Sequence, residues 1–94
     1  SRYLTVKQVL KSKYEKYKKF FTPYPYNSGY FMCLKIKDGI DSERLRKKLL
    51  KDYSIGLIAK DNYLRIAFSC LAEKDIPEVF EKIYKACEEL DFKI

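Results

Sequence analysis

The sequence predicts a small α/β domain of the α+β kind: a mainly antiparallel three-stranded sheet with helices packed on one face, in the order α-β-α-β-β-α. Three observations predict it. Leu64, Ile66 and Phe68 alternate with Tyr63, Arg65, Ala67 and Ser69, which is the two-residue period of a half-buried strand. Ile76, Val79, Phe80, Ile83, Cys87 and Leu90 recur at the period of a helix. Ninety-four residues, 47% hydrophobic and 16% aromatic, suffice for one compact core.

Each element has a local reason. From about Tyr3 to Phe21, the residues Leu4, Val6, Val9, Leu10, Tyr14, Tyr17 and Phe21 make a helical stripe with lysines opposite. Pro23 and Pro25 stop that helix. Residues 22–29, Thr-Pro-Tyr-Pro-Tyr-Asn-Ser-Gly, form a turn-rich approach to a first strand, Tyr30 to Lys37. In that strand Tyr30, Met32, Leu34 and Ile36 share one face, and Phe31, Cys33, Lys35 and Lys37 the other. Asp38-Gly39 makes a turn. Asp41 or Ser42 then caps a helix from Ser42 to Tyr53, with the apolar stripe Leu45, Leu49 and Leu50. A short strand, Ile55 to Ala59, leads through Lys60-Asp61-Asn62 into the strand of Arg65 as a hairpin. The last helix begins near Asp75, which serves as N-cap, with Pro77 in the first turn and Glu78 three residues after the cap.

Composition narrows the function classes. The formal net charge is +7. Much of it lies in Lys11, Lys13, Lys16, Lys18, Lys19, Lys47, Lys48 and Lys51, which read as solvated helix faces. Nucleic-acid binding is the sharper reading of that charge and is disfavoured. Tyr14, Tyr17, Phe20, Phe21, Tyr24, Tyr26 and Tyr30 interleave with lysine, and are read as a surface that docks on other protein rather than as a stacking platform for bases. No apolar run reaches membrane-spanning length and no signal-peptide pattern opens the chain, so no membrane association is expected; the odd number and wide spacing of Cys33, Cys70 and Cys87 fit an intracellular, reducing compartment, and a cytoplasmic location is expected. The chain has no histidine, and Cys33, Cys70 and Cys87 are widely spaced with no Cys-x-x-Cys. That argues against a zinc site and against a histidine-assisted cysteine nucleophile. Cys33 and Cys87 read as small core residues.

Arg65 is the residue with chemistry to explain. A planar, permanently charged fork on a strand suits bidentate capture of a carboxylate or phosphate. From the pattern alone it is either such an anion site or a sheet-edge ion-pair partner, and ion pairs are the commoner of the two.

Three stretches resemble the C-terminal small domain of class I/II, fold-type I pyridoxal-phosphate-dependent aminotransferases. Residues 27–34, Asn-Ser-Gly-Tyr-Phe-Met-Cys-Leu, are similar to the family's Gly-x-Phe strand. Residues 64–69, Leu-Arg-Ile-Ala-Phe-Ser, are similar to its Leu-Arg-Ile-x-Phe strand, and residues 75–83, Asp-Ile-Pro-Glu-Val-Phe-Glu-Lys-Ile, to its closing helix. The resemblance implies that residues 25–94 are the small domain and residues 1–24 an interdomain-type helix and loop. It implies that Arg65 grips the α-carboxylate of an amino-acid or 2-oxo-acid substrate, that Gly29 permits close backbone approach, and that Phe31 faces the pocket. The direct passage from Ile55 to Asn62 departs from the longer insertion common in the family.

No stretch here resembles the family's cofactor site, with its Schiff-base lysine, phosphate-binding residues and acidic partner for the pyridine nitrogen. The expectation is therefore a fragment that binds no pyridoxal phosphate and does not transaminate alone. Its parent would be a homodimeric aminotransferase whose large domain, in the same chain, carries the cofactor. The alternative from another class is a free-standing basic α/β module binding RNA or a small regulatory ligand.

Overall fold

The structure, a computed structural model, describes residues 2–23, 32–67 and 72–91. The predicted class holds, with one strand more than expected: four strands form an antiparallel sheet in the order β1-β2-β4-β3. The strands are β1 (Phe21–Pro23), β2 (Met32–Ile36), β3 (Ile58–Lys60) and β4 (Tyr63–Ile66). The helices are α1 (Arg2–Ser12), α2 (Tyr14–Tyr17), α3 (Ser42–Tyr53) and α4 (Ile76–Asp91), the last entered through a 3₁₀ turn at Glu73–Asp75.

The added strand comes from the segment expected to be one helix from Tyr3 to Phe21. That helix breaks at Lys13, which leaves the helical region at φ −108°, ψ 15°. Beyond α2 the chain turns into β1, where Phe21 pairs with Ile36 and Pro23 with Leu34. Pro23 disfavours helical backbone at Thr22, so the chain extends before the proline rather than stopping at it. Extension also lets the adjacent Phe20 and Phe21 both be buried, which one helical face does not easily allow. Pro23 sits on an edge strand, where a missing N–H costs least.

Alternation along the sheet survives as predicted. Met32, Leu34, Ile36, Leu64 and Ile66 are buried, while Lys35 and Arg65 are exposed and Cys33 and Tyr63 half-buried. The buried face packs with α3 and α4, and α1 lies against α4. From α4 come Ile76, Val79, Phe80, Ile83, Ala86 and Cys87. From the first segment come Val6, Leu10, Tyr17, Phe20 and Phe21, so it shares this core. Of its expected stripe, Leu4 and Tyr14 face solvent instead.

Helix α3 has its predicted bounds. Asp41 is the cap, its carboxylate accepting from the Glu43 N–H at 3.1 Å. Leu45 and Leu49 are buried, but Leu50 is 52% exposed: one step beyond Leu49 turns it off the core-facing side. The strand expected at Ile55 to Ala59 starts later, at Ile58, because Ser54 ends α3 in a left-handed conformation (φ 59°) and the chain needs Ile55–Leu57 to return to the sheet. The hairpin then closes through Asp61-Asn62, with Lys60 opposite Tyr63 and Asp61 at φ 55°. A positive φ in this position fits a tight hairpin turn.

Candidate functional site

Helices cover one face of the sheet, and its other face carries the candidate site. The two-residue side-chain period and the strand register fix what lies there. Arg65 on β4 has Cys33 on β2 as one register partner and Ile58 on β3 as the other. One step along the sheet, Tyr63 lies between Lys35 on β2 and Lys60 on β3. Cys33, Ile58, Lys60, Asp61, Tyr63 and Arg65 line a cavity of ≈320 Å³. That volume is at the small end of ligand pockets, in the range of a metabolite rather than a macromolecule.

Arg65 is exposed, and β4 is an inner strand of the sheet. The sheet-edge position considered from the sequence is therefore corrected. Neighbouring strands on both sides hold the Arg65 backbone, so the guanidinium works from a fixed base. Ile58, 55% exposed, gives the cavity an apolar wall beside the guanidinium. The turn at its rim is anchored from below: the buried Ser42 hydroxyl, in the first turn of α3, donates to the Asp61 carbonyl.

Cys33 was expected in the core and is instead half-buried on the uncovered face, within the cavity lining. Its neighbours Met32 and Leu34 are apolar, but on a strand they point to the opposite side. Cys87 is in the core as expected, and no disulfide engages either cysteine. Gly29 and Phe31, assigned site roles by resemblance, lie outside the described residues, as does Cys70. Lys60, Ile58 and Tyr63 were not foreseen as site residues. Counting the register back from Tyr63 through a two-residue turn finds Lys60, and from it Ile58.

This lining suits an anion. Lys60 and Arg65 bring two cations against the single carboxylate of Asp61, and Lys35 adds a third cation to the same face. It does not suit pyridoxal phosphate. Among the described residues the lining comes from β2, β3, β4 and the turn between the last two, so no helix N-terminus contributes to it to cradle a phosphate, and the first-turn N–H of Glu43 in nearby α3 is already held by Asp41. Among the described residues, no group of three or more His, Cys, Asp or Glu side chains could hold a metal ion. No helix among them is long and apolar enough to cross a membrane.

No protein-family model matches the chain, and no curated protein matches it in sequence. Among solved structures, it is similar to the α-aminoadipate aminotransferase LysN of Thermus thermophilus, solved in complex with N-(5'-phosphopyridoxyl)-L-leucine. The TM-score is 0.73 and the identity 16%, over 96% of this chain and 25% of that one. The two share a fold. This chain thus corresponds to about a quarter of the length of the aminotransferase, whose complex contains a pyridoxyl derivative of an amino acid.

Proposed function

We propose that this chain is the C-terminal substrate-binding portion of a pyridoxal-phosphate-dependent aminotransferase, with Arg65 gripping the α-carboxylate of an amino-acid or 2-oxo-acid substrate. One observation carries the proposal: Arg65 lines a metabolite-sized cavity on the uncovered sheet face of a fold shared with such an enzyme. The strand positions the guanidinium, and its planar fork matches a carboxylate through two charge-assisted hydrogen bonds. Held at that end, a substrate has its amino group in a fixed place relative to the sheet. Arg65 then orients the substrate and moves no proton.

In this reading residues 25–94 form the small domain and residues 1–24 the helical connection to a large domain of the same chain. The large domain carries the cofactor, which supplies the electron sink for chemistry at the α-carbon. Closure of the large domain over the uncovered sheet face shields the carboxylate from water and strengthens its pairing with Arg65. The parent would be a homodimer, and the 94-residue chain alone would be inactive.

Cofactor binding tests the division of labour. The full-length gene product is expected to copurify with pyridoxal phosphate bound as a Schiff base, seen in its visible absorbance. The 94-residue chain mixed with pyridoxal phosphate and passed over a desalting column should retain none at stoichiometric level. A full-length product without the Schiff-base band, or a short chain that retains the cofactor, would refute the proposal.

A further inference from the structure

We infer that the basic face of α3 is a binding site for a short polyphosphate chain. Arg44, Lys47, Lys48, Lys51, Asp52 and Leu90 line a second cavity, of ≈330 Å³, built from α3 and the last turn of α4. It shares no residue with the cavity on the uncovered sheet face and stands apart from the role of Arg65. Positions 44, 47, 48 and 51 are three, four and seven apart, the spacings that align side chains along one helical face. They run roughly 10 Å along the axis. Asp52 is the one acid in the lining among the described residues, and Lys48 holds it at 2.9 Å while also reaching Glu89 at 3.3 Å. Arg44, Lys47 and Lys51 are exposed and make no ion pair among the described residues. Like charges three and four residues apart repel one another and destabilise a helix. An anion laid across all three relieves that repulsion, so the free chain is poised to gain from one.

The lining selects the ligand. Among the described residues no aromatic side chain lines this cavity, so no base would stack there, which disfavours single-stranded nucleic acid. Leu90 is its one apolar residue, too little to seat an acyl chain or the apolar anchor of a peptide. The arginine fork takes phosphate oxygens two at a time, and the lysine ammoniums follow as point charges on flexible stems. A polyphosphate packs several charges into a length that Arg44, Lys47 and Lys51 span together. The cavity volume is that of a small molecule rather than a macromolecule. A free polyphosphate and the phosphate tail of a nucleotide share this chemistry.

The experiment is an amide-resolved NMR titration of the 94-residue chain with tripolyphosphate, adenosine triphosphate and hexauridylate, each without metal ions. Tripolyphosphate is expected to saturate the chain, with shifts centred on residues 44–51 and Leu90. Adenosine triphosphate should bind no tighter, since the cavity offers nothing to its base. Arg44→Gln, Lys47→Gln and Lys51→Gln should each weaken tripolyphosphate roughly threefold, the scale of one exposed ion pair, and together by more than about tenfold. A charge-matched control combines Lys11→Gln, Lys74→Gln and Lys85→Gln, three exposed lysines outside the cavity, and should leave the affinity nearly unchanged. The amide spectrum of each variant reports its folding, and the three single variants repeat the test at minimal change. Shifts that never saturate or spread over the whole surface, or equal losses in the two triple variants, would overturn the inference. So would adenosine triphosphate or hexauridylate binding clearly tighter than tripolyphosphate, because either result would place recognition in the base.

Discussion

Cys33 on β2 and Arg65 on β4 are register partners, and both line the cavity on the sheet face that no helix among the described residues covers. A thiol beside a guanidinium is a chemical reporter of that charge. Iodoacetate carries a carboxylate and iodoacetamide does not, so the ratio of their rates at Cys33 measures local attraction for an anion. That ratio should be about threefold or more higher in the folded chain than in urea, and Arg65→Gln and added salt should both lower it. Peptide mapping by mass spectrometry separates Cys33 from Cys70 and Cys87. A ratio equal in folded and unfolded chain would show that the site does not concentrate carboxylates.

The turn that carries Asp61 depends on Ser42, whose hydroxyl donates to the Asp61 carbonyl from the first turn of α3. Ser42→Ala leaves that carbonyl without this donor and should cost about 1 kcal/mol. It should also speed hydrogen exchange at Asn62 and Tyr63, which belong to the same hairpin. Equal stability and exchange in the variant would mean that the contact does not hold the hairpin.

Glu81 joins α4 to the first helical segment. Tyr17 Oη donates to Glu81 Oε2 at 2.5 Å, and Lys16 Nζ pairs with Oε1 at 2.9 Å. These two bonds, that of Tyr17 first, hold the Glu81 carboxyl below its ordinary range. Burial first, and then the bond to Glu81, raises the Tyr17 phenol well above its usual value. A carboxyl depressed in the folded state stabilises above its unfolded pKa, and that contribution is lost as pH falls through the folded value. A raised phenol stabilises below its unfolded pKa, and that contribution is lost as pH rises through its folded value. Glu81→Gln should therefore cost about 1 kcal/mol at neutral pH, since the carboxylate is partly exposed. In urea denaturation the gap to the unaltered chain should shrink as pH falls below the carboxylate range. A gap of constant size would assign the loss to packing instead.

Leu64 and Leu50 separate core from surface within one short chain. Leu64 is fully buried in β4 beneath α3, and Leu50 is exposed on α3. Leu64→Ala should cost about 2–5 kcal/mol and Leu50→Ala less than about 0.5 kcal/mol, measured by urea denaturation. Comparable losses would place Leu50 against the core, as its sequence stripe suggested.

Much of this was legible in the sequence, and the misses have physical causes. Leu64 and Ile66 inward with Arg65 outward follow from the strand period alone, and α3 follows from its cap and stripe. The fourth strand did not, because Phe21 can extend a helical stripe as readily as it can pair with Ile36. Only tertiary pairing decides between these, and Pro23 at the edge of the sheet was the available hint. Leu50 was misplaced because a helix of lysines and leucines leaves the angular width of its buried face loose. The Arg65 position was legible as a site candidate, but its cavity was not. Cys33, Ile58 and Lys60 reach it through the register of two other strands, and a register is set by turns whose lengths sequence patterns blur.

Steady-state kinetics of Arg65→Lys in the full-length gene product test the central claim most directly. Lysine keeps the charge and loses the fork, so the α-carboxylate would be held but poorly oriented. The expected result is a KM raised roughly tenfold, a lower kcat/KM for amino-acid and 2-oxo-acid substrates alike, and an unchanged thermal midpoint. Kinetics indistinguishable from those of the unaltered enzyme would contradict the account and remove Arg65 from the site.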